Sequence, residues 1–382
     1  MNNDLQLSDI LRKNSIREVA VVYTSSMLPF LSTLLRDYSV ITTRTADIAN
    51  LFFVNFNIAN FISIIPGEYL WTKCNLAHEK PARFEFFEFC LLVVSTLAAS
   101  IILLCFLGVR FSAWYFIPAF SIIFGYPIGV LNGLKMYFFS RMIQATLGVI
   151  MAAMVFVVSA DLPNIYFISL VITAGLFLAP VFFKRILIMS WSRIDYKKLV
   201  NALLVTIVPY ACFYIANSIA LSANDNNSRM VIISNRISVY LFTFILMASP
   251  VFMNMFKHLN DSRTIIIRYI NYRDFLAVLL FVLMGIGVFL VLNSREAGLI
   301  YFSFFISMSC SFMFYISKLL FLTRNVARKS QAVITVCVIL ILVGPLLFFK
   351  SALYTLLTLS LLSIVINYAG LLCLGTMVES RL

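Results

Sequence analysis

Charge is what this chain has least of. Only 12% of its 382 residues are Asp, Glu, Lys or Arg, and just 16 are acidic. Soluble domains carry about 25% charge, so a soluble enzyme is excluded, as is a charge-rich disordered chain. Histidine is almost missing: His78 and His258 are the two in the sequence. There is no CxxC pair among the seven cysteines, so neither a zinc set nor a disulfide framework is supported. Cys90, Cys105, Cys212, Cys310, Cys337 and Cys373 fall in apolar runs and read as small buried hydrophobes, with Cys74 in a loop. A phosphate-binding P-loop is also lacking, as is a GxGxxG after a strand. Any energy used by this chain would therefore come from an ion gradient, a concentration gradient or downstream consumption. Period-two alternation is missing from the apolar runs, which argues against an outer-membrane barrel.

What is present is apolar. Hydrophobic residues make up 62% of the chain and mean hydropathy is +0.98. A bilayer-spanning helix needs about 20 mostly apolar residues. Twelve segments qualify: 18–34, 47–70, 87–108, 112–134, 142–160, 164–183, 199–221, 231–256, 275–293, 298–317, 331–349 and 352–375. The expected fold class is all-α, a polytopic membrane protein of about 12 transmembrane helices. No cleavable leader is expected, because seventeen mostly polar residues precede the first run and no small-residue cleavage site follows it. Leu5, Leu7, Ile10 and Leu11 fit either a short interfacial amphipathic helix or a plain polar tail.

The excess of 29 basic over 16 acidic residues gives a net charge of +13. Lys and Arg gather on the cytoplasmic side of membrane proteins. With both termini inside, 22 of the 29 basic residues fall in inside segments, among them Lys73, Arg83, Lys135, Arg141, Lys257 and Arg328. The exceptions at the outer ends are Arg36, Arg44, Arg110, Arg229, Arg236, Arg295 and Lys350. The topology thus absorbs most of the charge without any nucleic acid.

The basic loop at 184–198 has six spans before it and six after. The chain therefore divides into an N-terminal six-helix bundle (1–183), a basic cytoplasmic linker (184–198) and a C-terminal six-helix bundle (199–382). Each half would begin from the inside, as in parallel transporter repeats. A weak repeat agrees. At an offset of 185, Ile48, Asn50 and Val54 meet Ile233, Asn235 and Val239; after a one-residue slip, Pro66 and Lys73 meet Pro250 and Lys257.

Polar residues inside a bilayer are costly and usually face a bundle interior or a cavity. Here they concentrate in the first two helices of each half. The first carries Tyr23, Thr24, Ser25, Ser26 and Pro29. On the second, Asn50, Asn57, Asn60 and Glu68 share a face at helical spacing, with Asn55 elsewhere. The seventh places Tyr210, Tyr214 and Asn217 together; the eighth aligns Arg236, Tyr240, Thr243, Pro250 and Asn254. These stripes fit a central cavity lined by both halves. Helix–helix glue is the plainer reading of any single Asn. Arg236 fits either a snorkelling surface charge or a cavity cation. Gly125, Gly129 and Gly133 read as a packing face.

Three segments carry a family resemblance: the polar second span ending PGEYLWTK, the stretch GYPIGVLNGLKMYFFSRMIQATLGVI from Gly125 to Ile150, and ISNRISVYLFTFILMASPVFMNMF from Ile233 to Phe256. With the six-plus-six layout, the chain resembles the O-antigen type polysaccharide flippases of the multidrug/oligosaccharidyl-lipid/polysaccharide exporter superfamily. The resemblance implies two six-helix lobes around a cavity open alternately to either side. It implies a multi-pass protein of the bacterial inner membrane that flips oligosaccharide on undecaprenyl pyrophosphate for surface polysaccharide synthesis. The lipid tail would stay in the bilayer. No cofactor is implied; a polysaccharide polymerase and a chain-length regulator are implied as partners. Cationic cavity residues of the family would correspond to Arg36, Arg44, Arg229 and Arg236, with Asn50, Asn57, Asn60, Glu68, Tyr214, Asn217, Tyr240 and Thr243 for the sugar. The interior of the first helix, ended at 34, holds no acidic residue, which departs from the ion-coupled drug exporters of the superfamily.

Two other readings compete. One is a polysaccharide polymerase, ligase or acyltransferase, against which stand the short outer loops and the poorly placed His78 and His258. The other is a small-solute or drug exporter. The loop WTKCNLAHEKPARF lacks the Gly/Asp/Arg pattern of the major facilitator family.

Overall fold

In a computed structural model the described residues are 2–76, 86–133, 136–181, 209–210, 212–224, 228–246, 273–322 and 352–379. Among them the regular structure is helical. The helices are α1 (Asn2–Thr43), α2 (Ala46–Leu76), α3 (Phe86–Phe106), α4 (Ile117–Gly133), α5 (Tyr137–Val157) and α6 (Leu162–Val181), then α7 (Cys212–Ser222), α8 (Arg229–Leu246), α9 (Arg273–Asn293), α10 (Arg295–Leu322) and α11 (Ala352–Glu379). The expected span 331–349, the basic loop 184–198, His78, His258, Pro250 and Asn254 lie outside the described residues.

Four described stretches are long and apolar enough to cross a bilayer: Phe89–Phe106, Tyr137–Val157, Arg229–Leu246 and Arg295–Phe314. The first is only 22% buried and the last 67% buried. The mostly apolar α3 thus turns most of its side chains outward, as a lipid-facing scaffold helix does, while α10 is interior. Leu51, Ile102, Phe106, Phe156 and Phe289 are likewise exposed, in keeping with an apolar solvent around the helices.

Two apolar cores form. One gathers Phe52, Phe53, Phe56, Trp114, Met151, Ile165 and their neighbours, with Leu221 and Ile232 joining from later helices. The other gathers Tyr210, Phe213, Phe242, Phe302, Phe314 and Leu359. At the end of α3, Gly108 takes φ +68°, and the Gly108 and Val109 N–H groups donate to Cys105 and Leu104 carbonyls. That left-handed cap stops the helix before the Ala113–Tyr115 turn.

One expectation about a helix boundary needs correction. The first helix does not end at 34; α1 runs on to Thr43. Of the glycine face expected on α4, Gly125 makes no close helix approach, and one is found on α5. An added Cβ on Gly125 would meet nothing within 4 Å, whereas one on Gly148 of α5 would lie 2.7–2.9 Å from Ser32 of α1. Cys212 and Cys310 are buried as expected, but Cys105 is exposed.

Helices α1 and α5 run side by side in the same direction. Ser32 lies against Gly148, and further along Arg44 Nη2 donates to the carbonyls of Val158 (3.3 Å) and Ala160 (3.4 Å). The sequence offset is nearly constant between the two contacts, which only parallel helices give.

Candidate functional site: a cationic cavity between the helices

A cavity of about 470 Å³ lies among α1, α2, α4, α5, α6, α7, α8 and α10. Ligand pockets usually measure about 300–1,000 Å³. Each wall is one stripe of a helix. From α1 come Pro29, Phe30, Thr33 and Arg36; from α2, Phe56, Asn60, Ser63 and Gly67. Ser121, Phe124, Gly125, Ile128 and Asn132 line it from α4, and Arg141, Gln144, Leu147 and Gly148 from α5. Arg236, Val239, Tyr240, Thr243 and Leu246 contribute from α8. These spacings of three, four and seven are those of one helix face. Tyr210 and Tyr214 add two stacked rings, their centroids 6.3 Å apart and 15° from parallel.

At one part of the wall two arginines share one carboxylate. Arg36 Nε donates to Asp37 Oδ1 at 2.7 Å, and its Nη2 lies 2.6 Å from the same oxygen. Arg236 Nε donates to Asp37 Oδ2 at 2.7 Å, and the Tyr240 hydroxyl donates to that oxygen at 2.5 Å. All three charged residues are buried. A carboxylate in such a place is tolerable only when paired and hydrogen-bonded; here both oxygens are occupied. The guanidiniums are further compensated by ring faces. The Arg36 carbon sits 4.6 Å from the Phe56 ring centre, and the Arg236 carbon 4.6 Å from that of Phe53 and 5.6 Å from that of Phe56. Ring quadrupoles attract cations at these separations. Arg236 Nη1 is buried without a hydrogen-bond partner.

Asp37 overturns the expectation that the first helix holds no interior acid. Reading α1 as stopping at 34 placed Arg36 and Asp37 outside the bilayer. Their mutual neutralisation, completed by Arg236, lets the helix continue with the acid inside. Arg236 itself is 2% exposed, so the snorkelling reading is wrong.

Of the anticipated site residues, Arg36, Asn60, Tyr214, Arg236, Tyr240 and Thr243 meet at the cavity. The others have different surroundings. Arg44 ties the end of α1 to the carbonyls after α5, as noted above. Asn50 Nδ2 donates to the Leu221 carbonyl at 3.0 Å, and Asn217 Oδ1 accepts from Asn235 Nδ2 at 2.6 Å. Both are helix–helix glue: the first ties α2 to α7 and the second ties α7 to α8. Asn57 is wholly buried, with neither amide atom hydrogen-bonded. Arg229 is exposed at the first turn of α8. The side chain of Glu68 lies outside the described residues. The α2 error has a simple geometry: at about 100° per residue, the Phe56–Asn60–Ser63–Gly67 stripe is rotated roughly 85° from the expected Asn face. Asn60 sits at the overlap.

The sequence reading also missed Arg141. Counted as a cytoplasmic loop charge, it instead starts the second turn of α5, buried and lining the cavity. Its Nη1 donates to Gln144 Oε1 at 2.9 Å. Three arginines therefore border the cavity, and no carboxylate is among its described lining residues. Asp37 offsets one of the three charges.

No family model and no curated protein matches the chain. Solved structures do. An outward-facing multidrug resistance MATE family transporter of the MOP superfamily aligns over 96% of both chains, with 13% identity and a TM-score of 0.60. A MATE protein in complex with MaD3S aligns over 96% of each, at 14% identity and a TM-score of 0.57. A MOP superfamily transporter from Pyrococcus furiosus, described as having a binding pocket of reversed polarity, covers 97% of this chain and 95% of its own, at 15% identity and a TM-score of 0.55. From end to end, then, the chain has the fold of the MATE transporters of the MOP superfamily.

Proposed function

We propose that the chain is a membrane transporter that carries an anionic, sugar-bearing cargo through the central cavity by alternating access. The cargo we assign is oligosaccharide on undecaprenyl pyrophosphate, flipped between leaflets of the bacterial inner membrane. One observation carries this reading: three buried arginines border the cavity and a single carboxylate answers them. Guanidinium forks bind phosphoryl oxygens two at a time. Asn60, Ser63, Thr33 and the Tyr210/Tyr214 pair supply hydroxyls, an amide and ring faces suited to sugar. The cavity has room for a head group, not for a long prenyl tail, so the tail would remain in lipid. No bond need break, and the chain acts as carrier rather than enzyme.

A small-solute exporter is the second reading. It is favoured by the cavity's size and by neighbours described as multidrug transporters. The arginines then select anionic solutes and disfavour cationic drugs.

The test is reconstitution. In proteoliposomes, a fluorescent undecaprenyl-diphosphate disaccharide placed in both leaflets should exchange between them with the wild type and stall with Arg236→Gln. Exchange no faster than in empty liposomes, together with efflux of a small anion, would favour the second reading. Efflux of a lipophilic cation instead would contradict both.

A further inference from the structure

Arg141 sits far from the Arg36–Asp37–Arg236 cluster. Because α1 and α5 are parallel and Ser32 is level with Gly148, Arg141 is level with residues 25–26 of α1. At 1.5 Å of rise per residue, Arg36 and Arg141 are separated by about 16 Å along the helices. The two arginines thus arise from different levels of the cavity wall, which carries two cationic positions.

The second position is built differently from the first. Arg141 is 9% exposed, and its described hydrogen bond goes through Nη1 to the neutral Gln144 amide. Its Nε is buried without a partner. No acid faces it among the described residues. Asn132 of α4 lines the same cavity, its Oδ1 accepting from Ser140 Oγ at 2.6 Å. An unanswered guanidinium in a low-dielectric wall is expensive unless an anion joins it. Gln144 occupies one nitrogen and fixes the fork, leaving Nε and the remaining terminal nitrogen, the edge that grips two oxygens of one group.

We propose that Arg141, fixed by Gln144 and flanked by Asn132, is a second anion subsite that takes the carboxylate of an acidic sugar in the cargo. Arg141 offers one guanidinium edge to one carboxylate, whereas the Arg36–Asp37–Arg236 cluster, which also nets a single positive charge, presents two guanidiniums side by side for the two phosphoryl groups of a diphosphate. This rests on the reading of the cavity as a sugar-bearing anion carrier, and it narrows the glycan to one containing a uronic-acid type residue.

The test uses the purified full chain and four probes in thermal-shift titrations: methyl β-D-glucuronide, methyl β-D-glucoside, inorganic pyrophosphate and inorganic phosphate. The glucuronide should bind the wild type at least tenfold more tightly than the glucoside. Arg141→Gln should remove that preference, and Arg141→Lys should retain part of it. Gln144→Glu, which keeps Arg141 but supplies it with an internal carboxylate, should remove it too and guards against misfolding of the first variant. Arg236→Gln should weaken pyrophosphate at least tenfold and leave the glucuronide preference in place. Equal binding of glucuronide and glucoside, or a preference indifferent to Arg141 and Gln144, would overturn the subsite. So would phosphate displacing the glucuronide at equal concentration, which would reassign Arg141 to a phosphoryl group. If pyrophosphate fails to bind while the glucuronide preference follows Arg141, the subsite stands and the diphosphate assignment falls.

Discussion

Asp37 on α1 and Arg236 on α8 are 199 residues apart in sequence and meet at 2.7 Å. The contact joins the first helix to one that gives Val239 and Phe242 to the second apolar core, beside the cavity. Arg36 and Tyr240 complete it from either side.

Removing the carboxylate should be worse than removing one arginine. Asp37→Asn leaves two buried guanidiniums without a counter-charge, and breaking such a pair costs about 3–5 kcal/mol. Arg236→Gln leaves Asp37 still paired with Arg36, so its cost is smaller. A double-mutant cycle on detergent-purified protein, read by thermal unfolding, should show strong coupling between positions 37 and 236. Additive losses would mean the contact does not form.

Gly148 and Gly125 make a matched pair. Gly148→Ala pushes a methyl into the Ser32 backbone and should destabilise by about 1–3 kcal/mol through overpacking. Gly125→Ala meets open space, so the melting temperature should hold while cavity volume and substrate affinity fall.

Asn57 offers a prediction of opposite sign. Both of its amide atoms are buried and unbonded, a cost of about 1–3 kcal/mol. Asn57→Leu should therefore leave stability unchanged or raise it, without loss of transport. Loss of transport with retained folding would place Asn57 in contact with cargo.

Arg44→Gln and Arg229→Gln test which outer arginines matter. Arg44 holds helix-end carbonyls and Arg229 is exposed, so both variants should bind anions like the wild type. Neither residue lines the cavity.

The sequence made the class of fold plain, because α3, α5, α8 and α10 are long and apolar with almost no internal charge. The α8 stripe of Arg236, Tyr240 and Thr243 was also legible, since one helix face repeats at four and seven. Asp37 was not. A lone Arg–Asp dipeptide after an apolar run looks like a helix end, and its true partner sits in the other half of the chain. The α2 stripe was misplaced because Asn side chains glue helices as readily as they line cavities, and spacing alone does not separate those roles. Arg141 was hidden by the positive-inside pattern, which accounts for any basic residue near a span's cytoplasmic end.

The central claim is that the cavity selects anions. Binding of inorganic pyrophosphate and of tetraphenylphosphonium to the purified protein, wild type against the Arg36→Gln/Arg236→Gln double variant, tests it most directly. The account predicts that pyrophosphate binds the wild type and loses at least tenfold in the variant, while the cation binds poorly to the wild type. Tight binding of tetraphenylphosphonium to the wild type, with pyrophosphate indifferent to both arginines, would contradict it.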